Sequence, residues 1–197
     1  MTHALHPAGG AGRLFLGVTL TEQVRAALQG HLQSERLPGR AVAACGWHLT
    51  LRFLGDTSHE TVNRLHEALG VADLGQPFDV VFGTLGAFPD PACASVLWIG
   101  VDEGTDALSA VAARLEGIVR QVGFAAEERP FAPHLTLSRL RPPVDVRELA
   151  ERVPALQARM AVNAVVLFRT RHGQGLGRYE QIQRYPLRLE VPGAVRG

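Results

Sequence analysis

Lysine is missing altogether: all 20 basic residues among the 197 are arginine, which excludes Schiff-base and other lysine-dependent catalysis. Arginine's planar fork suits phosphate recognition, yet a GC-rich genome would replace lysine in the same way, and that cause takes most of the weight. An excess of charge is missing too. The 20 basic residues face 19 acidic ones for a formal net charge of +1, which argues against tracking along a nucleic acid backbone, where many phosphates must be neutralised. Contact with one strand end stays open. Cysteine is scarce: Cys45 and Cys93 are too far apart for a zinc knuckle and too few for a disulfide scaffold, so both are expected to be reduced and structural. No window is apolar for the length of a membrane span, and the first residues lack a basic stretch followed by an apolar one. A cytoplasmic monomer with no membrane partner is expected.

What is present is an ordinary globular composition, 46% hydrophobic and 20% charged, of a size for one compact unit. Residues 1–12 end in a glycine-rich stretch with nothing to bury and are expected to form a disordered tail, taking His3 and His6 with them. A single domain is expected over 13–190, followed by a short C-terminal tail over 191–197. Within the domain the pattern repeats. A strand through Leu14-Phe15-Leu16-Gly17-Val18, a helix over 21–33 and a strand over 47–53 are matched by Leu97-Trp98-Ile99-Gly100-Val101, a helix over 105–122 and a strand over 134–140. Gly17 and Gly100 lie 83 residues apart, His48 and His134 86. Helices over 58–69 and 144–153 then lead to strands over 78–88 and 159–170, so each half reads β-α-β-α-β. A final strand over 179–189 follows the turn-rich run Gly173-Gln174-Gly175-Leu176-Gly177. The expected class is α+β, with duplicated halves packed about a pseudo-two-fold axis around a central cleft.

The candidate chemistry sits on the equivalent strands His48-Leu49-Thr50-Leu51 and His134-Leu135-Thr136-Leu137. Alternation puts each histidine and its threonine on one face and the leucines on the other. A lone strand histidine is usually a satisfied polar residue, but two His-x-Thr units at equivalent points of a repeat are hard to assign to packing, where valine would serve. Two imidazoles without an acidic partner suggest concerted acid-base catalysis on a phosphoester. One takes a proton from water while the other donates to the leaving oxygen, and the threonine hydroxyls meet the non-bridging oxygens. Imidazole is suited because its ordinary pKa, near 6.5, makes both protonation states accessible. Catalytic zinc usually needs three protein ligands, and neither strand offers a nearby carboxylate or thiolate, so no metal and no other cofactor is expected. No Gly-x-Ser-x-Gly elbow occurs, and the Gly173 to Gly177 run precedes a strand rather than a helix, as a hairpin turn would. His59 and His66 fall on a polar helix and are expected to be solvated, His31 lies at a helix end, and His172 falls in a turn.

Trp47-His48-Leu49-Thr50-Leu51-Arg52-Phe53-Leu54-Gly55 and Phe131-Ala132-Pro133-His134-Leu135-Thr136-Leu137-Ser138-Arg139 resemble the paired motifs of the 2H phosphoesterases. Within that superfamily they look most like the bacterial and archaeal RNA 2',3'-cyclic phosphodiesterases, historically called 2'-5' RNA ligases. The likeness extends to Arg13-Leu14-Phe15-Leu16-Gly17-Val18 and to the segment from Gly177-Arg178-Tyr179 to Tyr185-Pro186-Leu187. It implies a bilobal fold with the histidines facing across a cleft and hydrolysis of the 2',3'-cyclic phosphate at RNA 3' ends to a 2'-phosphate. By the same resemblance His48 is the proton donor to the 3' oxygen, His134 activates water, and Arg139 contacts phosphate with Thr50 and Thr136. Strict alternation turns Arg139 to the leucine face, so the strand must end or bulge for it to reach the site. Phe168-Arg169-Thr170-Arg171 departs from relatives that carry a serine and fewer charges there. A small cyclic nucleotide or cyclic ADP-ribose phosphate as substrate, the reverse ligation, and a module that binds RNA ends without turnover are the alternatives.

Overall fold

The computed structural model describes residues 10–171 and 178–188. Its elements run β1 (Gly10–Thr19), α1 (Glu22–His31), β2 (Arg40–Ala41), β3 (His48–Ser58), α2 (His59–Val71), β4 (Phe78–Phe88), β5 (Ala94–Glu103), α3 (Thr105–Val122), β6 (His134–Val144), α4 (Arg147–Arg152), β7 (Ala158–Val162), β8 (Ala164–Arg171) and β9 (Arg178–Pro186). Local chemistry sets the helix starts. The hydroxyls of Thr21 and Ser58 accept the N–H groups of Val24 and Thr61 at 3.3 and 3.2 Å, satisfying first-turn donors that have no partner inside the helix. No helix among the described residues is long and apolar enough to cross a membrane.

All strands join one antiparallel sheet in the order β7-β4-β5-β6-β3-β1-β8-β9, with β2 added alongside β6. The pseudo-two-fold axis passes between β6 and β3, where the ladder has a single pair, Leu49 opposite Leu135. On either side the equivalents match outward, β5 with β1, β4 with β8 and β7 with β9. The expected α+β class and central cleft are therefore present, but the two lobes are not the two halves of the chain. Each half gives its third strand to the other lobe: β4 pairs with β5, and β8 pairs with β1. The stretch over 159–170, expected as one strand, is accordingly two. It breaks at Asn163, with β7 on β4 and β8 on β1. A one-residue link spans only about 7 Å, so the two regions of the sheet must come together there, and the sheet curls. One hydrophobic cluster runs through both lobes, with Leu16, Leu49, Leu97, Ile99, Leu135, Leu137, Val165 and Leu167 at its centre.

Other expectations change at the margins. β1 begins at Gly10, Gly12 pairs with Thr57, and Ala11 is buried, so residues 10–12 belong to the sheet rather than to a tail. Pairing of Gly10 and Gly12 with β3 overrides their flexible composition. Both cysteines are free and exposed, not packed. His66 is not simply solvated, since its Nδ1 lies 2.5 Å from the Tyr185 hydroxyl. β9 ends at Pro186. The remainder of the expected N-terminal tail, the Gly173 to Gly177 turn with His172, and the C-terminal tail lie outside the described residues.

Candidate active site

β3 and β6 carry the duplicated motifs to the centre of the sheet. Leu49 and Leu135 point into the core, while His48, Thr50, His134 and Thr136 line a cleft of about 1140 Å³ on the opposite face. Extending the Leu49–Leu135 register by one residue each way sets His48 across from Thr136 and Thr50 across from His134. The four side chains therefore form a crossed square in which each imidazole has a hydroxyl from both strands beside it. β1 runs close behind β3 at this point. A Cβ on Gly17 would lie 2.5 Å from the Leu49 carbonyl oxygen, so only glycine fits where the two strands approach.

Each imidazole is anchored in the same way. His48 Nδ1 lies 2.7 Å from the carbonyl oxygen of Gly46, and His134 Nδ1 lies 2.7 Å from that of Ala132. A carbonyl only accepts, so Nδ1 carries a hydrogen in both rings and Nε2 is left as the group presented to the cleft. Neutral, such a ring accepts a proton at Nε2; protonated, it donates one. The loops that supply these carbonyls are themselves held by arginines. Arg25 of α1 donates to the Ala44 carbonyl, one turn of chain before Gly46. Arg52 donates to the Ala125 carbonyl in the segment preceding β6 and to Glu116 of α3 at 2.5 Å.

Aromatic rings surround both imidazoles. His48 packs against Phe15 and Tyr179, each at 4.6 Å between ring centroids, and against Phe168 at 5.7 Å. His134 meets Phe88 edge-on at 4.9 Å and Trp98 at 6.1 Å. This burial disfavours the charged ring. The His48 pKa falls to about 4, chiefly through burial and despite the Gly46 hydrogen bond, with Arg139 and His134 adding repulsion. His134 is lowered for the same leading reason, again with Arg139 contributing. Between about pH 4 and 6.5 the unfolded chain therefore binds more protons at residue 48 than the folded one. The stability this residue contributes is complete above pH 6.5 and is lost as pH falls toward 4.

Arg139 reaches the cleft through a bulge. On β5, Trp98 and Leu97 are consecutive, yet their partners on β6 are Thr136 and Ser138. The extra residue shifts the alternation, so Leu137 and Ser138 are both buried, Arg139 is exposed, and its side chain lines the cleft with Thr136. β3 carries the same irregularity at the equivalent place, where Leu16 and Gly17 pair with Arg52 and Thr50. There it buries Arg52 and turns Phe53 outward, 51% exposed, onto the cleft wall. The two-fold is thus broken at one equivalent pair, Phe53 on one side and Arg139 on the other. Phe15, Phe53, Phe88, Trp98, Phe168 and Tyr179 were not anticipated as site residues. Phe15 and Trp98 were within reach of the alternation argument, being one residue out of phase with buried neighbours on their strands. The others depend on bulges and on strands exchanged between lobes.

The remaining histidines lie elsewhere. His31 Nε2 contacts the Pro154 carbonyl at 2.9 Å, His59 is exposed at the start of α2, and His66 is engaged with Tyr185. Among the described residues no cluster of three or more His, Cys, Asp or Glu side chains is arranged to hold a metal ion.

Residues 22–174 match the family model of the 2'-5' RNA ligase superfamily. A Geobacillus stearothermophilus protein named RNA 2',3'-cyclic phosphodiesterase is 32% identical over 190 residues, 93% of this chain but only 59% of its own length, so the chain spans about three fifths of that relative. A Methanothermobacter thermautotrophicus protein of the same name is 32% identical over 149 residues, 74% of this chain and 80% of its own. Among solved structures, E. coli LigT complexed with 3'-AMP is similar with a TM-score of 0.74 and 27% identity, over 89% of this chain and 98% of that one.

Proposed function

The chain belongs to the 2'-5' RNA ligase superfamily, and from that premise we propose that it hydrolyses the terminal 2',3'-cyclic phosphate of RNA to a 2'-phosphate, using His48 and His134 as acid and base. The observation that carries this reading is the matched pair of Nδ1–carbonyl hydrogen bonds, which leaves two Nε2 atoms directed to one cleft from opposite strands. His134, neutral, takes a proton from the attacking water at Nε2 as the water oxygen bonds to phosphorus. The bond from phosphorus to the 3' oxygen breaks, and His48, protonated, gives its Nε2 proton to that oxygen. Thr50 and Thr136 donate hydrogen bonds to the non-bridging oxygens, and Arg139 adds positive charge where negative charge builds. The names of the relatives support the substrate, and the assignment of acid and base follows the family resemblance. On this reading the partners are RNA 3' ends, the protein works as a monomer in the cytoplasm, and no metal takes part. Two free, exposed cysteines accord with a reducing compartment.

A buried imidazole with a pKa near 4 is a poor acid reservoir at neutral pH, and the substrate resolves this. A phosphodiester anion about 4 Å from the ring stabilises the imidazolium by about 4 kcal/mol at an effective dielectric of about 20, or about three pKa units. The charge of the bound substrate therefore lets His48 take up a proton from solvent before it acts as the acid. In an NMR titration the His48 ring of the free protein is expected to titrate near pH 4 and to move up by two units or more when 2'-AMP is bound. A midpoint near 6.5 in the free protein would contradict this account.

The function itself is tested with an oligoribonucleotide ending in a 2',3'-cyclic phosphate, incubated with and without EDTA, the product being identified as the 2'- or 3'-phosphate. Turnover to the 2'-phosphate, unaffected by chelator, is expected. No turnover, a 3'-phosphate product, or activity abolished by EDTA would sink the proposal.

A further inference from the structure

Two stretches of chain meet at one end of the cleft, and neither contains an acidic residue. Residues 36–42 carry Arg36 and Arg40, and residues 138–144 carry Arg139 and Arg141, in a protein whose charges otherwise nearly balance. Where the stretches pair, Arg40 of β2 stands directly opposite Arg139 of β6. Like charges directly opposite in a ladder are destabilising, and here both are exposed. Among the described residues neither has an ion pair or a side-chain hydrogen bond.

This unfavourable pairing is held in place by the surrounding backbone. Ser138 Oγ donates to the Pro38 carbonyl at 2.5 Å, and Val42 N–H donates to the Leu137 carbonyl at 2.7 Å. Gly39, with φ +72°, allows the strands to close, because a Cβ there would lie 2.6 Å from the Arg139 carbonyl oxygen. Partners opposite each other in a ladder share a face. Arg139 lines the cleft, and so does Val42, two residues along from Arg40. Arg40 therefore extends the cleft floor beyond Arg139, which is itself about 10 Å along β6 from Thr136 at ordinary strand rise.

The opposite end of the cleft is different in character. There Phe53 stands where the two-fold would put a second Arg139, and the wall carries Arg13 beside Glu116 and Glu127, whose carboxylates are paired with Arg52 and Arg129. An aromatic face among largely paired charges suits a base or a ribose. We propose that Arg40, together with Arg139, forms a subsite for the internucleotide phosphate next to the reacting end, so that the RNA leaves the cleft over β2 and a polynucleotide is preferred to a mononucleotide. This rests on the phosphodiesterase reading and adds the direction of the strand to it.

The test compares kcat/KM on an oligoribonucleotide ending in a 2',3'-cyclic phosphate with that on 2',3'-cyclic AMP. For Arg40→Ala the oligonucleotide-to-mononucleotide ratio is expected to fall about fivefold to tenfold, as for loss of one charge-assisted contact. The slope of log kcat/KM against log salt for the oligonucleotide should become shallower by about 0.7, the value for one single-strand phosphate. A neutral methylphosphonate at the internucleotide linkage next to the cyclic phosphate should cost the wild type at least a similar factor and cost Arg40→Ala, which keeps only Arg139, clearly less. An unchanged ratio, or equal processing of the methylphosphonate and phosphodiester substrates by the wild type, overturns the subsite while leaving the phosphodiesterase in place. A wild type inactive on both substrates overturns the phosphodiesterase reading, and the subsite with it.

Discussion

His48→Ala and His134→Ala are each expected to lower kcat on a cyclic-phosphate oligonucleotide by about 10²- to 10⁴-fold, the usual contribution of a positioned acid or base. KM should change far less, because on the proposed mechanism Thr50, Thr136 and Arg139 still meet the phosphate. Unfolding is not expected to account for the loss. Both rings line the cleft, and removal of an imidazole held at low pKa also removes a penalty at acidic pH. The double variant should fall little below the worse single one, since two groups that act in one concerted step do not add. Their pH profiles separate the roles: loss of the base flattens the acidic limb of kcat/KM, and loss of the acid flattens the alkaline limb. If either single variant keeps wild-type kcat, concerted two-histidine catalysis is wrong.

Arg52→Ala is expected to have the second-largest effect, a destabilisation of about 3 kcal/mol measured by urea unfolding, on the scale of breaking a buried ion pair. Arg52 is 9% exposed, and three acceptors depend on it: Glu116 at 2.5 Å and the carbonyls of Phe53 and Ala125. Glu116 in turn accepts the Glu127 N–H at 3.1 Å. The guanidinium therefore ties β3, α3 and the segment leading into β6 to one point. That segment supplies the Ala132 carbonyl that orients His134, so kcat should fall as well, by about tenfold on the scale of a small misplacement of a catalytic group. Glu116→Gln keeps a neutral acceptor and should lose less on both measures. Burial pushes the Glu116 carboxyl up, but the Arg52 hydrogen bond, the Glu127 N–H and nearby arginine charge together hold it below the usual glutamate value. Its share of stability is therefore complete above the ordinary glutamate range and fades as pH drops below it. A loss under about 1 kcal/mol for Arg52→Ala would place the pair among ordinary surface ion pairs and remove this account.

Much of the site was legible because alternation in a strand is a local rule. His48 with Thr50, and His134 with Thr136, share a face whatever the rest of the fold does, and their recurrence in a repeated frame marked them as a pair. Arg139 was legible only as a conditional. Residue counting turned it away from the site, and only a bulge could bring it back. That bulge depends on how β5 pairs with β6, which no single strand encodes. The aromatic shell was less accessible still. Tyr179 and Phe168 reach His48 because β8 and β9 join the lobe built on β1, although β8 is the third strand of the second half of the chain.

From sequence alone follow the α+β class, the repeat, the apolar and polar faces of each strand, and two imidazole–hydroxyl pairs at equivalent positions, all consequences of residue type and spacing along one segment. Tertiary structure decided the rest. It placed His48 across from Thr136, exchanged the third strands so that one core serves both lobes, fixed both ring tautomers through loop carbonyls, and put phenylalanine and arginine at corresponding bulges. These features depend on pairing between distant segments, where a single inserted residue reverses the face of everything after it.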